Sequence, residues 1–168
     1  MTSRSKRSVA AGAAAGLVAG IVSGGLLQLM HMTTMEGLRQ PAMALVAGAV
    51  HTTRPLLAWA GYLVYAALIG AAFGWLTGRQ DVGEGAGVVW GVLYGAFWWI
   101  VSGLVVIPVL YGVGPLTSAA VDVIRNASLP WFAAMLLNGG VLGGVYPLLA
   151  PRRSLSAAGA ARETRRAA

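Results

Sequence analysis

The sequence predicts an all-α membrane protein. Four transmembrane helices form a bundle, built as two parallel helix-pair repeats, with short interfacial helices in the outer loops. Three observations carry this expectation. The 168-residue chain is 57% hydrophobic and only 10% charged, with a mean hydropathy of +0.71; a soluble domain carries roughly a quarter charged residues. Four segments, 8–30, 55–77, 85–111 and 127–151, contain no Asp, Glu, Lys or Arg, and each exceeds the roughly 20 apolar residues a spanning helix needs. Finally, glycine recurs at every fourth position in two of these segments.

The first segment follows a basic N-terminus (1–7) and could be mistaken for a secretory signal. Its apolar run continues well past the roughly 7–15 residues of a signal core, so it reads as an uncleaved span. Residues 40–50 ("QPAMALVAGAV") are apolar but too short to cross, and read as an interfacial or re-entrant helix opened by Pro41. Residues 116–125 put Leu116, Ala119, Ala120, Val123 and Ile124 on one helical face, with Thr117, Asp122 and Arg125 opposite. Pro108 and Pro147 are expected to kink the third and fourth spans. The tail, 152–168, is small, polar and basic, which predicts a disordered segment drawn to anionic headgroups.

Charge sets the expected orientation. With the N-terminus inside, Arg4, Lys6, Arg7, Arg79, Arg152, Arg153, Arg162, Arg165 and Arg166 are cytoplasmic, which is nine of the twelve basic residues. Arg39, Arg54 and Arg125 remain outside. Both termini are thus expected in the cytoplasm, with the chain in a bacterial inner membrane. Trp59, Tyr111 and Trp131 then mark the outer boundary, and Trp75, Trp90 and Tyr146 the inner one. The net charge of +7 sits at the chain ends, which fits topology and a lipid partner rather than nucleic acid.

The glycines predict how the helices meet. Gly12, Gly16, Gly20 and Gly24 form one ladder, and Gly83, Gly87, Gly91 and Gly95 repeat it 71 residues later. Gly70 and Gly74 continue the theme in the second span, as do Gly139 with Gly143 and Gly140 with Gly144 in the fourth. Residues four apart share a helix face, and small-xxx-small spacing lets backbones approach in lipid. Each half runs ladder helix, loop with a proline-led short helix (Pro41, Pro115), then an aromatic-headed helix (Trp59, Trp131). This order predicts a duplication of about 8–78 into 79–151, with repeats related by an axis along the membrane normal.

The chemistry available is narrow. No ionisable acid or base lies within a span, although pumps and proton-coupled carriers place such groups there. The intramembrane polar residues are Ser23, Ser102 and Asn138, the last beside a Gly-Gly pair. They could line a path for a neutral solute or hydrogen-bond across helices. In "MHMTTMEG", a continued helix would put His31 and Met35 on one face. With His51 these offer imidazole and thioether ligands of the kind Cu(I) takes. Cysteine is absent, no nucleophile–base spacing such as GxSxG occurs, and "GRQDVGEGAG" lacks the GK[ST] ending of a phosphate loop. No enzymatic activity and no resident cofactor are expected.

The stretches "GLVAGIVSG" (16–24), "QPAM" (40–43), "GVLYGAFWWIVSGLVVIPVLYG" (91–112) and "LPW" (129–131) resemble the YagU-like group of small bacterial inner-membrane proteins. That resemblance implies the four-span architecture and no active site. The leading functional expectation is a non-enzymatic protein acting through glycine-mediated association, as a homo-oligomer or the membrane subunit of an assembly. Passive permeation and copper binding are the alternatives.

Overall fold

The computed structural model describes residues 3–33, 37–78 and 84–150. It is mostly helical, and four helical stretches are long and apolar enough to cross a membrane: Ser5–Leu29, Pro55–Thr77, Gly85–Leu110 and Ser118–Leu149. The expected spans therefore exist, with boundaries close to those the charge-free segments predict. The basic tail and the loop carrying Arg79 and Gly83 lie outside the described residues.

Helix α1 covers Ser3–Leu29. It does not continue through the Met/His cluster. Instead His31–Thr33 (β1) pairs antiparallel with Arg39–Pro41 (β2), His31 opposite Pro41, and the Ala42 N–H donates to the Met30 carbonyl at 2.8 Å. Gly37 sits between the strands at φ +80°, a conformation that favours glycine. Pro41 therefore closes a strand rather than opening a helix, because the residue before a proline prefers extended backbone. The short helix α2 begins two residues later, at Met43–Ala49.

Helix α3 (Pro55–Thr77) starts with Pro55 in its first turn, where a missing N–H costs no internal bond. Helix α4 (Glu84–Val101) widens into a π-helical turn, Ser102–Val106, before ending as α5 (Ile107–Leu110). Pro108 explains the change. It has no N–H for the Leu104 carbonyl four residues back, and that freed carbonyl accepts the Leu116 N–H at 3.0 Å.

Helix α6 (Ser118–Ile124) is capped by Thr117, whose hydroxyl oxygen accepts the Ala120 N–H at 3.2 Å. Ala120 and Ile124 are buried as the face pattern predicts, but Leu116 precedes the helix at φ +59° and is exposed. A 3-10 turn, Arg125–Ala127, leads into α7 (Ser128–Leu149), which runs through Pro147.

Helix α1 packs along both α3 and α7, and α4 packs along α7, whereas the backbones of α3 and α4 stay apart. Two apolar clusters fill the interior. One gathers Leu27, Met43, Leu45, Tyr62, Ile107, Ile124 and Trp131 at the end carrying α2 and α6. The other gathers Ala15, Ala19, Ile69, Phe73, Leu142 and Tyr146 nearer the start of α1.

Candidate functional site

The glycine ladders lie inside the molecule. A Cβ on Gly12 would fall 2.9 Å from the Gly74 Cα and closer still to the Gly70 carbonyl; one on Gly70 would strike the Gly12 carbonyl in return. Gly16 faces the Ala66 carbonyl and Gly70, Gly20 the Ala66 methyl, and Gly24 the Trp59 ring at 2.7 Å. Along α4 the same reciprocity joins Gly91 to Gly139 and Gly143, Gly95 to Met135 and Gly139, and Gly87 to the Gly143 carbonyl at 2.5 Å. That last carbonyl is the one Pro147 leaves without a helical donor. Repeated carbonyl-to-Cα approach of this kind suits weak Cα–H···O contacts. In α7 the contact runs through Gly139 and Gly143. Gly140 and Gly144 lie one residue off that register and meet only Val92 and Val88 side chains, at 3.4 and 3.5 Å.

Two polar junctions tie the helices together. Ser23 is fully buried and donates to the Ala19 carbonyl at 2.7 Å. A hydroxyl has one proton and two lone pairs, so Ser23 Oγ accepts from both remaining neighbours, Asn138 Nδ2 at 3.1 Å and the Tyr62 hydroxyl at 2.9 Å. One serine thus joins α1, α3 and α7. Ser102 repeats the device, donating to the Trp98 carbonyl at 2.5 Å and accepting the Trp131 indole N–H at 2.8 Å. Trp131, expected at the membrane boundary, is instead buried in the bundle at 3% exposure; Trp75 and Trp90 remain exposed as boundary residues would be.

Neither Tyr62 nor Trp131 was named as a partner for the serines from sequence. A signal for Tyr62 was present: Tyr62, Ala66, Ile69 and Phe73 follow the 4-3-4 spacing of a buried face. Three further polar atoms, the Tyr65 hydroxyl and the indole nitrogens of Trp98 and Trp99, are buried without a hydrogen bond. Tyr65 neighbours Ser102 and stacks edge-on against Trp98, with ring centroids 6.2 Å apart.

At the loop-helix end, the Tyr111 hydroxyl donates to the Leu45 carbonyl at 3.0 Å and occupies the space above Gly48. Burial holds its ionisation above the ordinary tyrosine range. His31 sits exposed on β1, and His51 is exposed in the turn after α2 at φ +51°. Met35 lies outside the described residues, and the strand removes the helical face it was expected to share with His31. Among the described residues no group of three His, Asp or Glu side chains gathers.

Two cavities complete the picture. A small one of about 70 Å³ is walled by Val46, Gly61, Tyr62, Tyr65, Ile107 and Trp131. A larger groove of about 380 Å³ opens between α3 and α4. Neither is lined by Ser23, Ser102 or Asn138. No family model, curated protein or solved structure matches the chain.

Proposed function

We propose that this chain is a non-enzymatic, multi-pass protein of a bacterial inner membrane, with both termini cytoplasmic. It acts by association, as a homo-oligomer or as the membrane subunit of a larger assembly. The observation that carries this reading is the closure of the interior. Ser23, Tyr62 and Asn138 saturate one another across three helices, which favours a fastened bundle over a polar path through its centre. The glycine ladders are occupied within the chain, so the association surface is the outward face, where Val64, Leu68, Val89, Phe97 and Ile100 are all at least half exposed. The resemblance to the YagU-like group fits the same reading.

Two parallel helix-pair repeats, about 8–78 and 79–151, remain part of the proposal. Matching glycine seams, α1 on α3 and α4 on α7, support it. The contacts pair Gly12 with Gly91 rather than with Gly83, and Gly74 with Gly143, so the contact register is displaced from the 71-residue sequence register.

Because the chain has no cysteine, single cysteines report association cleanly. Val64→Cys, Leu68→Cys and Phe97→Cys, oxidised or treated with bifunctional maleimides in native membranes, are expected to give an adduct from one face. Absence of any adduct, together with a monomer in nanodiscs, would overturn the proposal.

A further inference from the structure

The groove between α3 and α4 is lined by Phe73, Leu76 and Thr77 from one helix and Trp90, Leu93 and Tyr94 from the other. Its back wall is the Phe73–Tyr94 ring pair, with centroids 5.1 Å apart. Both wall hydroxyls already donate to backbone, Thr77 to the Phe73 carbonyl at 2.7 Å and Tyr94 to the Ile69 carbonyl at 2.9 Å. What they leave open is a mainly hydrocarbon-lined space, and its volume falls within the roughly 300–1,000 Å³ of ligand sites. A transmembrane helix is roughly 10–12 Å across, too wide for such a slot, whereas a single hydrocarbon chain fits its form.

The charge at the groove's end narrows the ligand further. Ser8 of α1 rests on Gly74 and Gly78 of α3, its side chain 2.7 Å from where a Gly78 Cβ would stand. Gly78 directly follows the groove residue Thr77. Lys6 and Arg7, one and two residues before Ser8, are exposed at this same end, beside the exposed Trp75 and Trp90. Basic side chains flanking a cleft between spanning helices recognise anionic headgroups, and exposed indoles fix the depth at which a headgroup sits.

We propose that the α3–α4 groove holds one acyl chain of an anionic phospholipid whose phosphate is met by Lys6 and Arg7. This site is separate from the association surface, so its failure leaves that reading intact. The test is native mass spectrometry and titration of the purified full chain with phosphatidylglycerol or phosphatidylcholine carrying the same acyl chains. The wild type is expected to bind phosphatidylglycerol at least tenfold more tightly.

Leu93→Trp fills the groove from an exposed position and is expected to weaken both lipids at least tenfold; Leu76→Trp does the same from the opposite wall. Lys6→Gln combined with Arg7→Gln is expected to abolish the headgroup preference while phosphatidylcholine binding stays as in the wild type. A wild type without headgroup preference overturns the proposal. So do groove-filled variants, helical by circular dichroism, that retain phosphatidylglycerol normally. A change of oligomeric state in Leu93→Trp with unaltered lipid binding would assign the groove to a second copy instead.

Discussion

Helices α1 and α3 meet backbone to backbone, whereas α3 and α4 meet ring to ring. In the first seam glycine removes every side chain that would hold the helices apart, and carbonyls lie where Cβ atoms would be. In the second, Tyr65, Phe73, Tyr94 and Trp98 bridge the gap, and a groove of about 380 Å³ remains beside them. The contrast separates two ways of closing a bundle in lipid. Without a hydrophobic drive between helices, close approach comes from small residues; large rings span greater distances and leave space for something else. It also marks a departure from strict two-fold symmetry. Parallel repeats would make the α1–α7 and α3–α4 seams equivalent, yet only the first brings backbones together.

The largest effects should come from the tight seams. Gly12→Leu and Gly91→Leu each place a side chain on an opposing backbone that cannot retreat without opening the seam. Each should cost about 3 kcal/mol or more, measured by denaturation in mixed micelles. Leu76→Ala at the aromatic seam, half exposed and facing the groove, should stay within about 0.5 kcal/mol. Equal losses at the two seams would erase the distinction.

Asn138→Leu comes next, because it removes one of the two donors on Ser23 and joins α7 less firmly to α1. A loss of about 1–2 kcal/mol is expected. Liposomes carrying the wild type should pass small neutral solutes no faster than empty ones; flux that Asn138→Leu abolishes would favour the permeation reading. The tyrosines sharpen the picture at smaller scale. Tyr62→Phe removes a bonded hydroxyl and should cost about 0.6 kcal/mol. Tyr65→Phe removes an unbonded one and should be neutral or slightly stabilising. The smallest effect is expected at the cluster by β1: His31→Ala combined with His51→Ala should leave Cu(I) binding of the purified protein unchanged. A clear loss would restore the metal reading.

The four spans were legible because a charge-free run of more than 20 residues has few other readings. The ladders were legible too, since a four-residue glycine period fixes a helix face. Their partners were not. Gly139 with Gly143 and Gly140 with Gly144 fit the pattern equally well, and only the rotation of α7 decides between them. The end of α1 was misjudged for a related reason: "MHMTTM" is compatible with a helix by periodicity, but its pairing with Arg39–Pro41 is a contact across a turn. The serine junctions escaped because their partners lie on other helices, Tyr62 for Ser23 and Trp131 for Ser102.

Adjacent glycines in α7 give the most direct test of the central claim, that the ladders fasten the chain to itself in one register. Gly139→Ala and Gly140→Ala differ by one position and change helix propensity equally. Measured by reversible unfolding in the same micelles, Gly139→Ala should lose about 2 kcal/mol or more, because its new methyl meets the Gly91 carbonyl. Gly140→Ala, with only a Val92 methyl at ordinary contact distance, should be neutral or gain up to about 1 kcal/mol. Equal effects, or a larger loss at Gly140, would contradict the account.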